Sequence, residues 1–234
     1  MAKVTIRRKA VKRPRPPARS ARIALTRERV FQTAMDIADK DGLAAVTMRR
    51  LGQELGVEAM SLYHHVRDKG EIEGGMIDAF ISRIEAPPPG TDWREAIRGR
   101  AMSARRLVRR HRWAPRLLAS RQHISPVVMR YNEGLVGAFH DGGFSNQLIH
   151  TAMHVVSSRS LGFTQDLAVQ GDEADANAHR ILAQIRIEDY PVLKEALKGV
   201  MHDEDYEFVF GLDLILDGLE RARDAERQKV RARR

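Results

Sequence analysis

A short stretch, residues 59 to 65, carries side chains suited to reading the edges of base pairs. Apart from Leu62 they are small, thioether, hydroxyl, aromatic or imidazole groups with no acid among them: Ala59, Met60, Ser61, Tyr63, His64 and His65. Hydroxyl and imidazole groups can hydrogen-bond to bases in the major groove, and apolar groups can contact the thymine methyl. A face without acids also avoids repulsion by phosphates. The chemistry that this stretch predicts is recognition of double-stranded DNA.

Two short helices joined by a glycine turn would position this face. Their apolar residues are spaced so that the helices pack across one small core: Leu51, Leu55, Val57, Leu62 and Val66. Gly56 stands where the first helix must end, because a residue without Cβ takes the left-handed conformation cheaply. Residues 47–66 therefore have the layout of a helix-turn-helix. Such helix pairs also occur in other all-helical proteins, so spacing alone leaves a purely structural interpretation open.

A third helix is expected to begin directly behind this pair. Asp68 and Glu71 form a capping-box pattern, which predicts a helix start at this point. Lys69 then lies beside backbone N–H groups that have no partner within the helix and that favour an anion. We therefore expect Lys69 to contact a DNA phosphate.

The segment LGVEAMSLYHHVRDKGEI resembles the recognition-helix signature of tetracycline-repressor-type (TetR) regulators. The resemblance extends upstream through VFQTAMDIADKDGLAAVTMRRL and covers residues 23 to 84. It implies these roles: Thr47 and Arg49 approach the DNA backbone, Tyr63 and Lys69 hold phosphates, and Ala59, Met60, Ser61 and His65 face bases. For His64, a base contact and a position on the protein side of the helix both stay open.

The formal net charge of +9 is concentrated in one place. Residues 1–22 hold nine basic side chains and no acid, so the remaining chain is formally neutral. Pro14, Pro16 and Pro17 interrupt any helix there, which predicts a disordered basic arm. Such an arm can lie along phosphates or enter the minor groove, or it is a solubilising tail.

The rest of the chain has helical periodicity without convincing strand alternation, which predicts an all-α fold. Helices are expected from Thr26 and Asp68, from the Asp92 and Glu95 capping box, and near 113–121, 125–140, 145–166, 177–188, 191–200 and 203–227, with a loop over 165–177. The proline run 87–90 divides a three-helix DNA-binding domain (23–85) from a larger helical domain (91–234). Without cysteine or an apolar run of about 18 residues, we expect a cytoplasmic protein without membrane contact.

The last helix carries an apolar stripe wider than one neighbouring helix would cover. We expect its residues to form a dimer interface: Phe208, Leu212, Ile215, Leu216 and Leu219. Burial within the monomer is the alternative. EFVFGLDLILDGLERA also resembles the closing segment of TetR regulators with a tetracycline-repressor-like C-terminal domain, in which this helix and the one at 145–166 form a four-helix interface. A dimer would set two recognition helices about 34–36 Å apart on a palindromic site.

The resemblance further implies a small effector, largely apolar, held inside the larger domain. Aromatic, thioether and a few polar side chains suit such a ligand, and the candidates are Met102, Trp113, Leu117, Arg121, Met129, Asn132 and His154. For most of them, an ordinary core position is the alternative.

A metal site is the competing interpretation of the histidines. His150 and His154 have an i, i+4 spacing that could hold zinc, with His123, Asp203, Glu204 or Asp205 as further ligands. The sequence has neither His-Glu-x-x-His nor Glu-x-x-His, and no phosphate loop or nucleophile motif. We therefore expect no metal, no cofactor and no enzymatic activity.

Together these patterns predict a homodimeric, sequence-specific repressor released from a palindromic operator by a small molecule. Two alternatives from other classes stay open at this point. One is an architectural protein that coats DNA without sequence choice, and the other is a helical-bundle metalloenzyme.

Overall fold

A computed structural model describes residues 24–120, 124–161, 186–199 and 203–232. Within these ranges the α-helices are α1 (Arg27–Asp41), α2 (Met48–Leu55), α3 (Ala59–Leu62), α4 (Lys69–Ile81), α5 (Trp93–Arg110), α6 (Ala114–Ser120), α7 (Pro126–Asp141), α8 (Asn146–Leu161), α9 (Pro191–Leu197) and α10 (Glu204–Ala232). Short 3-10 helices cover Leu43–Ala45 and Ile187–Asp189. No strand occurs in the described ranges, and the all-α prediction is confirmed. The basic arm, the loop at 165–177 and most of the predicted helix at 177–188 lie outside them.

Thr26 caps helix α1, as predicted, and the helix packs along α4. The Thr26 hydroxyl accepts a hydrogen bond from the Arg29 amide at 3.3 Å, which satisfies one of the free N–H groups of the first turn. The buried face of α1 includes Val30, Ala34, Ile37 and Ala38. A close approach at Gly75 of α4 brings the two helices together, because a Cβ there would overlap the Phe31 ring.

Helices α2 and α3 pack across the small core that the spacing predicted. Leu51, Leu55, Leu62 and Val66 are buried, whereas Val57 is only half-buried. A Cβ at Gly52 would lie 2.8 Å from the Val57 carbonyl oxygen. Helix α2 therefore almost touches the chain that enters α3, a distance that only glycine permits.

The C-terminal body is built from α5, α7, α8 and α10 around a second core. Trp93 at the start of α5 packs against Phe139 and Phe144, with the Trp93 and Phe144 rings 4.7 Å apart. Helix α10 extends to Ala232, beyond the predicted end at 227. Near this end of the helix, the Arg227 guanidinium donates to the Gly142 carbonyl at 3.0 Å and connects α10 to the α7–α8 turn. No helix in the described ranges has the length and apolar character to cross a membrane.

The proline run 87–90 separates α4 from α5, but the hydrophobic packing does not divide there. The core that holds α1 to α4 together also contains Ala104 of α5 and three residues from α6 and the turn before it: Trp113, Ala114 and Leu117. Tyr131 of α7 contacts both this core and the one in the C-terminal body. Helices α1 to α4 therefore rest on the body through a continuous apolar contact.

Candidate nucleic-acid interface

The recognition segment, residues 59–66, begins as the one-turn helix α3 and continues as a hydrogen-bonded turn. The amides of His65 and Val66 both donate to the Leu62 carbonyl, at 2.8 and 2.9 Å. Ahead of it, Gly56 has φ 67° and ψ 35°, which is the left-handed conformation predicted for the end of α2. Leu62 and Val66 anchor the segment in the core, so its remaining side chains face outward or lie at the surface.

The predicted base-facing residues differ in exposure. Met60 is 73% exposed and Tyr63 48% exposed, and His64 is also exposed. Ala59, Ser61 and His65 are half-buried. The side chains of Met60 and Tyr63 therefore project into solvent, where a partner can contact them. His64 is therefore not buried against the protein.

The predicted phosphate-facing residues surround this segment on the neighbouring helices. Thr47 is the N-cap of α2, where its hydroxyl accepts from the Arg50 amide at 3.2 Å, and Arg49 on the same first turn is exposed. Lys69 is exposed at the first position of α4, and its Nζ lies 3.8 Å from Glu73 Oε1. An ion pair this long and open to water is weak, so a phosphate can replace it.

Several hydrogen bonds fix the start of α4 within the candidate interface. Asp68 Oδ1 accepts from the Glu71 amide at 2.8 Å, which is the first half of the predicted capping box. Glu71 does not complete the box at Asp68, because its Oε2 accepts instead from the Arg67 amide at 2.7 Å. That backbone hydrogen bond, with the side chains of Arg67 and Arg27, lowers the Glu71 pKa to about 2 despite the cost of its burial.

Arg27 and Arg67 belong to the candidate interface, and the sequence interpretation did not include them. Arg27 of α1 donates to Glu71 through Nη2 and to the His65 carbonyl through Nη1, so it joins α1, α4 and the recognition segment. The Arg67 side chain is 86% exposed, two residues before Lys69. The Arg67-x-Lys69 pair gives a local signal for a phosphate contact, whereas nothing in the sequence links Arg27 to a residue 44 positions away.

The expected effector-lining residues are not brought together. Trp113 and Leu117 lie in the core beneath α1 and α4, and Met129 and His154 are exposed. Met102 and Asn132 are half-buried in the C-terminal body, and Arg121 lies outside the described residues. The expected residues lie in three different environments, because aromatic and thioether side chains are common in both cores and ligand pockets.

Trp113 instead belongs to a polar junction between helices α1 and α4 and the C-terminal body. Its Nε1 donates to Asp39 Oδ1 of α1 at 2.6 Å, and His111 Nδ1 lies 2.8 Å from the same oxygen. On the other side of the ring, His111 Nε2 is 3.3 Å from Arg83 Nη1. Because a guanidinium cannot accept a hydrogen bond, Nε2 is the acceptor and Nδ1 carries the proton toward Asp39. His111, 2% exposed, is thus satisfied on both sides.

The α10 residues predicted to form a dimer interface are covered by other helices of the same chain. Phe208, Leu212, Leu216 and Leu219 are 0–7% exposed in the single chain, within the core formed with α5, α7 and α8, and Ile215 is half-buried against it. Side chains already withdrawn from water add no apolar area to an interface. The opposite face of α10 carries the exposed apolar residues: Tyr206, Phe210 and Leu214. Periodicity identified a buried face but not whether it is covered by the same chain or by another.

The histidines considered as metal ligands lie on the exposed side of α8. The rings of His150 and His154 contact each other edge to face, with centroids 4.7 Å apart. Within the described ranges no third His, Cys, Asp or Glu joins them in a group that could hold a metal ion, and His123 lies outside those ranges.

An all-helical chain with an exposed recognition segment on a helix-turn-helix, resting on a separate helical body, defines the class of helix-turn-helix transcriptional regulators. The family described as "Tetracyclin repressor-like, C-terminal domain" matches residues 86–223. The HTH-type transcriptional repressor DrrR1 of Streptomyces coeruleorubidus is 32% identical over 222 residues, 88% of this chain and 81% of DrrR1. The chain therefore belongs to the TetR family of transcriptional regulators.

Solved structures agree with this assignment. The Streptomyces coelicolor TetR family protein ActR in complex with (S)-DNPA is 30% identical, with a TM-score of 0.66 over 84% of this chain and 98% of ActR. Mycobacterium smegmatis BioQ with its natural double-stranded DNA operator is 27% identical, with a TM-score of 0.57 over 84% of this chain and 98% of BioQ. The neighbours thus include one structure with a small molecule and one with DNA.

Glu71 should make the folding stability depend on pH in the acid range. Its pKa is about 2 in the folded chain against an ordinary value of 4.5, so its contribution is complete above the ordinary value and lost as the pH falls from 4.5 toward 2. We expect Glu71→Gln to lower the Tm near neutral pH and to flatten the fall in Tm across that acid range. Glu58→Gln, at an exposed cap that makes no side-chain hydrogen bond, is the control and should follow the wild type. Parallel Tm profiles for Glu71→Gln and the wild type would contradict the assignment.

Proposed function

We propose that this regulator is a homodimeric repressor that binds a palindromic operator and is released from it by a small molecule held in the C-terminal body. The recognition segment carries the proposal, because Met60 and Tyr63 project from a helix-turn-helix that Arg27 and Glu71 fix in place. The BioQ complex with operator DNA and the ActR complex with (S)-DNPA support the two kinds of partner. In this proposal the chain acts in the cytoplasm as a non-enzymatic protein without cofactor.

On DNA, the helix-turn-helix would divide its contacts between bases and phosphates. Ala59, Met60, Ser61, His64 and His65 would enter the major groove, since they belong to the segment that projects from the core. The phosphate contacts would come from the flanking residues: Thr47, Arg49, Tyr63, Lys69 and, in addition, Arg67. This division predicts which side chains determine affinity and which determine sequence choice.

A second copy of the chain would cover the outer face of α8 and α10. Tyr206, Phe210 and Leu214 recur every four residues on α10 and are 54–65% exposed, and Val155 of α8 is 40% exposed. The Tyr206 and Phe210 rings stack with centroids 6.0 Å apart, which keeps both aromatic groups on one side of the helix. An isologous contact through this dimer face, defined as Val155, Tyr206, Phe210 and Leu214, would place two recognition segments on one particle.

For a ligand to release the protein from DNA, the body and the recognition segment would have to move together. Helix α4 begins at the DNA-facing Lys69 and ends beside Arg83, which contacts His111 of the junction. A ligand that prefers a body conformation with the two recognition segments wrongly spaced must lower DNA affinity, and DNA must lower ligand affinity by the same factor. Coupling of this kind is typically about 1–3 kcal/mol, or roughly 5- to 150-fold in operator affinity. Of the expected lining residues, Met102 and Asn132 would contact such a ligand, because both are half-buried in the body.

The division of DNA contacts can be tested after an operator has been selected from random duplexes. We expect Tyr63→Ala and Lys69→Ala to weaken binding to operator and to random DNA by similar factors, because both are assigned to phosphates. Ser61→Ala and His65→Ala should lose about 1–3 kcal/mol of discrimination at particular base pairs while keeping affinity for random DNA. Arg112→Ala, exposed on the body, is a charge control and should change neither. A change in sequence preference in the Lys69 variant would refute its phosphate assignment.

The dimer face makes a separate prediction about assembly. A Leu214→Glu substitution places two like charges in an isologous apolar contact, so we expect a monomer by light scattering and a large loss of operator affinity. Val192→Glu is the matched control, because Val192 is 83% exposed on α9, away from the dimer face. It should remain dimeric and bind operator normally. A dimer that survives both Leu214→Glu and Phe210→Glu would exclude this face as the interface.

A further inference from the structure

The guanidinium of Arg100 is buried in the C-terminal body without a counter-ion. Arg100 is 9% exposed, and its Nε has no hydrogen-bond partner. Among the residues that the structure describes, no carboxylate pairs with it, and the Tyr131 ring lies against it, with 5.6 Å from Cζ to the ring centroid. Desolvation lowers the pKa of Arg100 and raises that of Tyr131. A buried cation normally has a paired anion, because burial alone costs it several hydrogen bonds to water.

Neighbouring helices hold this guanidinium in position. Arg100 crosses from α5 to α7, and a Cβ at Gly134 would overlap its Nη2. Gly134 therefore leaves the space that the charged end of Arg100 occupies. The placement differs from that of Arg94 and Arg98 on the same helix, which pair with Asp217 and Asp213 of α10. Helix α5 thus has acidic partners within reach of its outer arginines but none at Arg100.

A second cationic group lies on the α8 and α10 side of the same helix. Arg105 and Arg159 both contact the Phe208 ring, with Cζ 5.2 and 4.9 Å from its centroid. Burial lowers the pKa of Arg159, and the nearby charge of Arg105 lowers it further. The Nε atom of Arg159 and the hydroxyl of Ser160, which is 4% exposed, are buried without hydrogen-bond partners, while Nη2 of Arg159 donates to the Glu207 carbonyl at 2.7 Å. Arg100 and Arg159 thus each have an Nε donor without an acceptor next to an aromatic ring.

From these unmatched donors we propose that the effector is an aromatic carboxylate whose anionic group pairs with Arg100. The guanidinium presents parallel N–H groups that match the two oxygens of a carboxylate, and the rings of Tyr131 and Phe208 suit a flat apolar body. This inference rests on the proposed function and names the chemical class of its ligand. Because Tyr131 also contacts the core under α1 and α4, a ligand at Arg100 has a direct neighbour in the DNA-binding half.

Matched pairs of acid and amide test the charge requirement on the full-length dimer. The probes are benzoate, 2-naphthoate and anthracene-2-carboxylate, each compared with its neutral carboxamide by thermal shift and calorimetric titration. We expect at least one acid to bind about tenfold more tightly than its amide, since only the acid forms a charge-assisted pair. Failure of every acid to bind, or equal binding of acid and amide, would overturn the inference.

Substitutions at Arg100 test which residue supplies the charge. Arg100→Met should abolish the preference for acid over amide and raise the Tm of the unliganded protein, because it removes a buried charge without a partner. Arg100→Lys keeps the charge and should retain part of the preference. Arg98→Met, which removes an arginine that already pairs with Asp213, is the control and should leave the preference unchanged. Full preference for the acid in Arg100→Met would also overturn the inference.

One glycine variant should move the guanidinium without changing its charge, and a second glycine variant on the same helix is its control. Gly134→Ala displaces Nη2 of Arg100, so we expect the acid preference to fall while the protein stays folded. Gly137→Ala lies on the same helix with nothing within 4 Å of the added Cβ, and it should behave as the wild type. Equal acid preference in both variants would contradict the placement of the anion at Arg100.

The outcome for the proposed function is read separately from operator affinity. If the acids bind selectively but leave operator affinity unchanged, the anion site is supported and release from DNA by the ligand is contradicted. If a neutral amide releases the protein from operator as effectively as the matching acid does, release by a ligand is supported and the anion site is overturned.

Discussion

The Asp39 carboxylate is the contact on which the relation between the DNA-binding helices and the body depends. It accepts hydrogen bonds from the Trp113 indole and the His111 ring, both almost fully buried. Without this acceptor each donor would be left unsatisfied in an apolar core, at a cost of about 1–3 kcal/mol each. Since α1 packs on α4 and Arg27 of α1 also holds the recognition segment, this junction and the apolar core beside it together set the position of that segment relative to the body.

Buried polar groups have hydrogen-bond partners at the junction, whereas some in the interior of the body have none. At the junction, His111 has a partner for each ring nitrogen, so its geometry is fixed by the protein alone. In the body, Arg100 and Ser160 have buried donors without partners. A satisfied network resists change, whereas unsatisfied donors gain from a ligand that supplies acceptors. This difference gives the protein a rigid connection next to a region that a ligand can stabilise.

Local patterns predicted the parts of the fold that depend on neighbours in sequence. The caps at Thr26 and Asp68, the glycine at 56 and the apolar positions of α2 and α3 were all correct, because each reflects contacts within a few residues. Long-range contacts gave no such signal. Asp39 and His111 are 72 positions apart, and the burial of Arg100 depends on a glycine in another helix. The buried stripe of α10 was recognised, but its periodicity could not tell a partner subunit from the chain's own core.

The central claim, that the recognition segment and the body move together through Asp39, can be tested with Trp113 as a reporter. In a Trp93→Phe variant, Trp113 is the remaining tryptophan, and its indole N–H donates to Asp39. We expect saturating operator to shift its emission, random duplex of equal length to shift it much less, and an added Asp39→Asn substitution to remove the operator effect. Emission that stays unchanged while operator binds fully would contradict the claim.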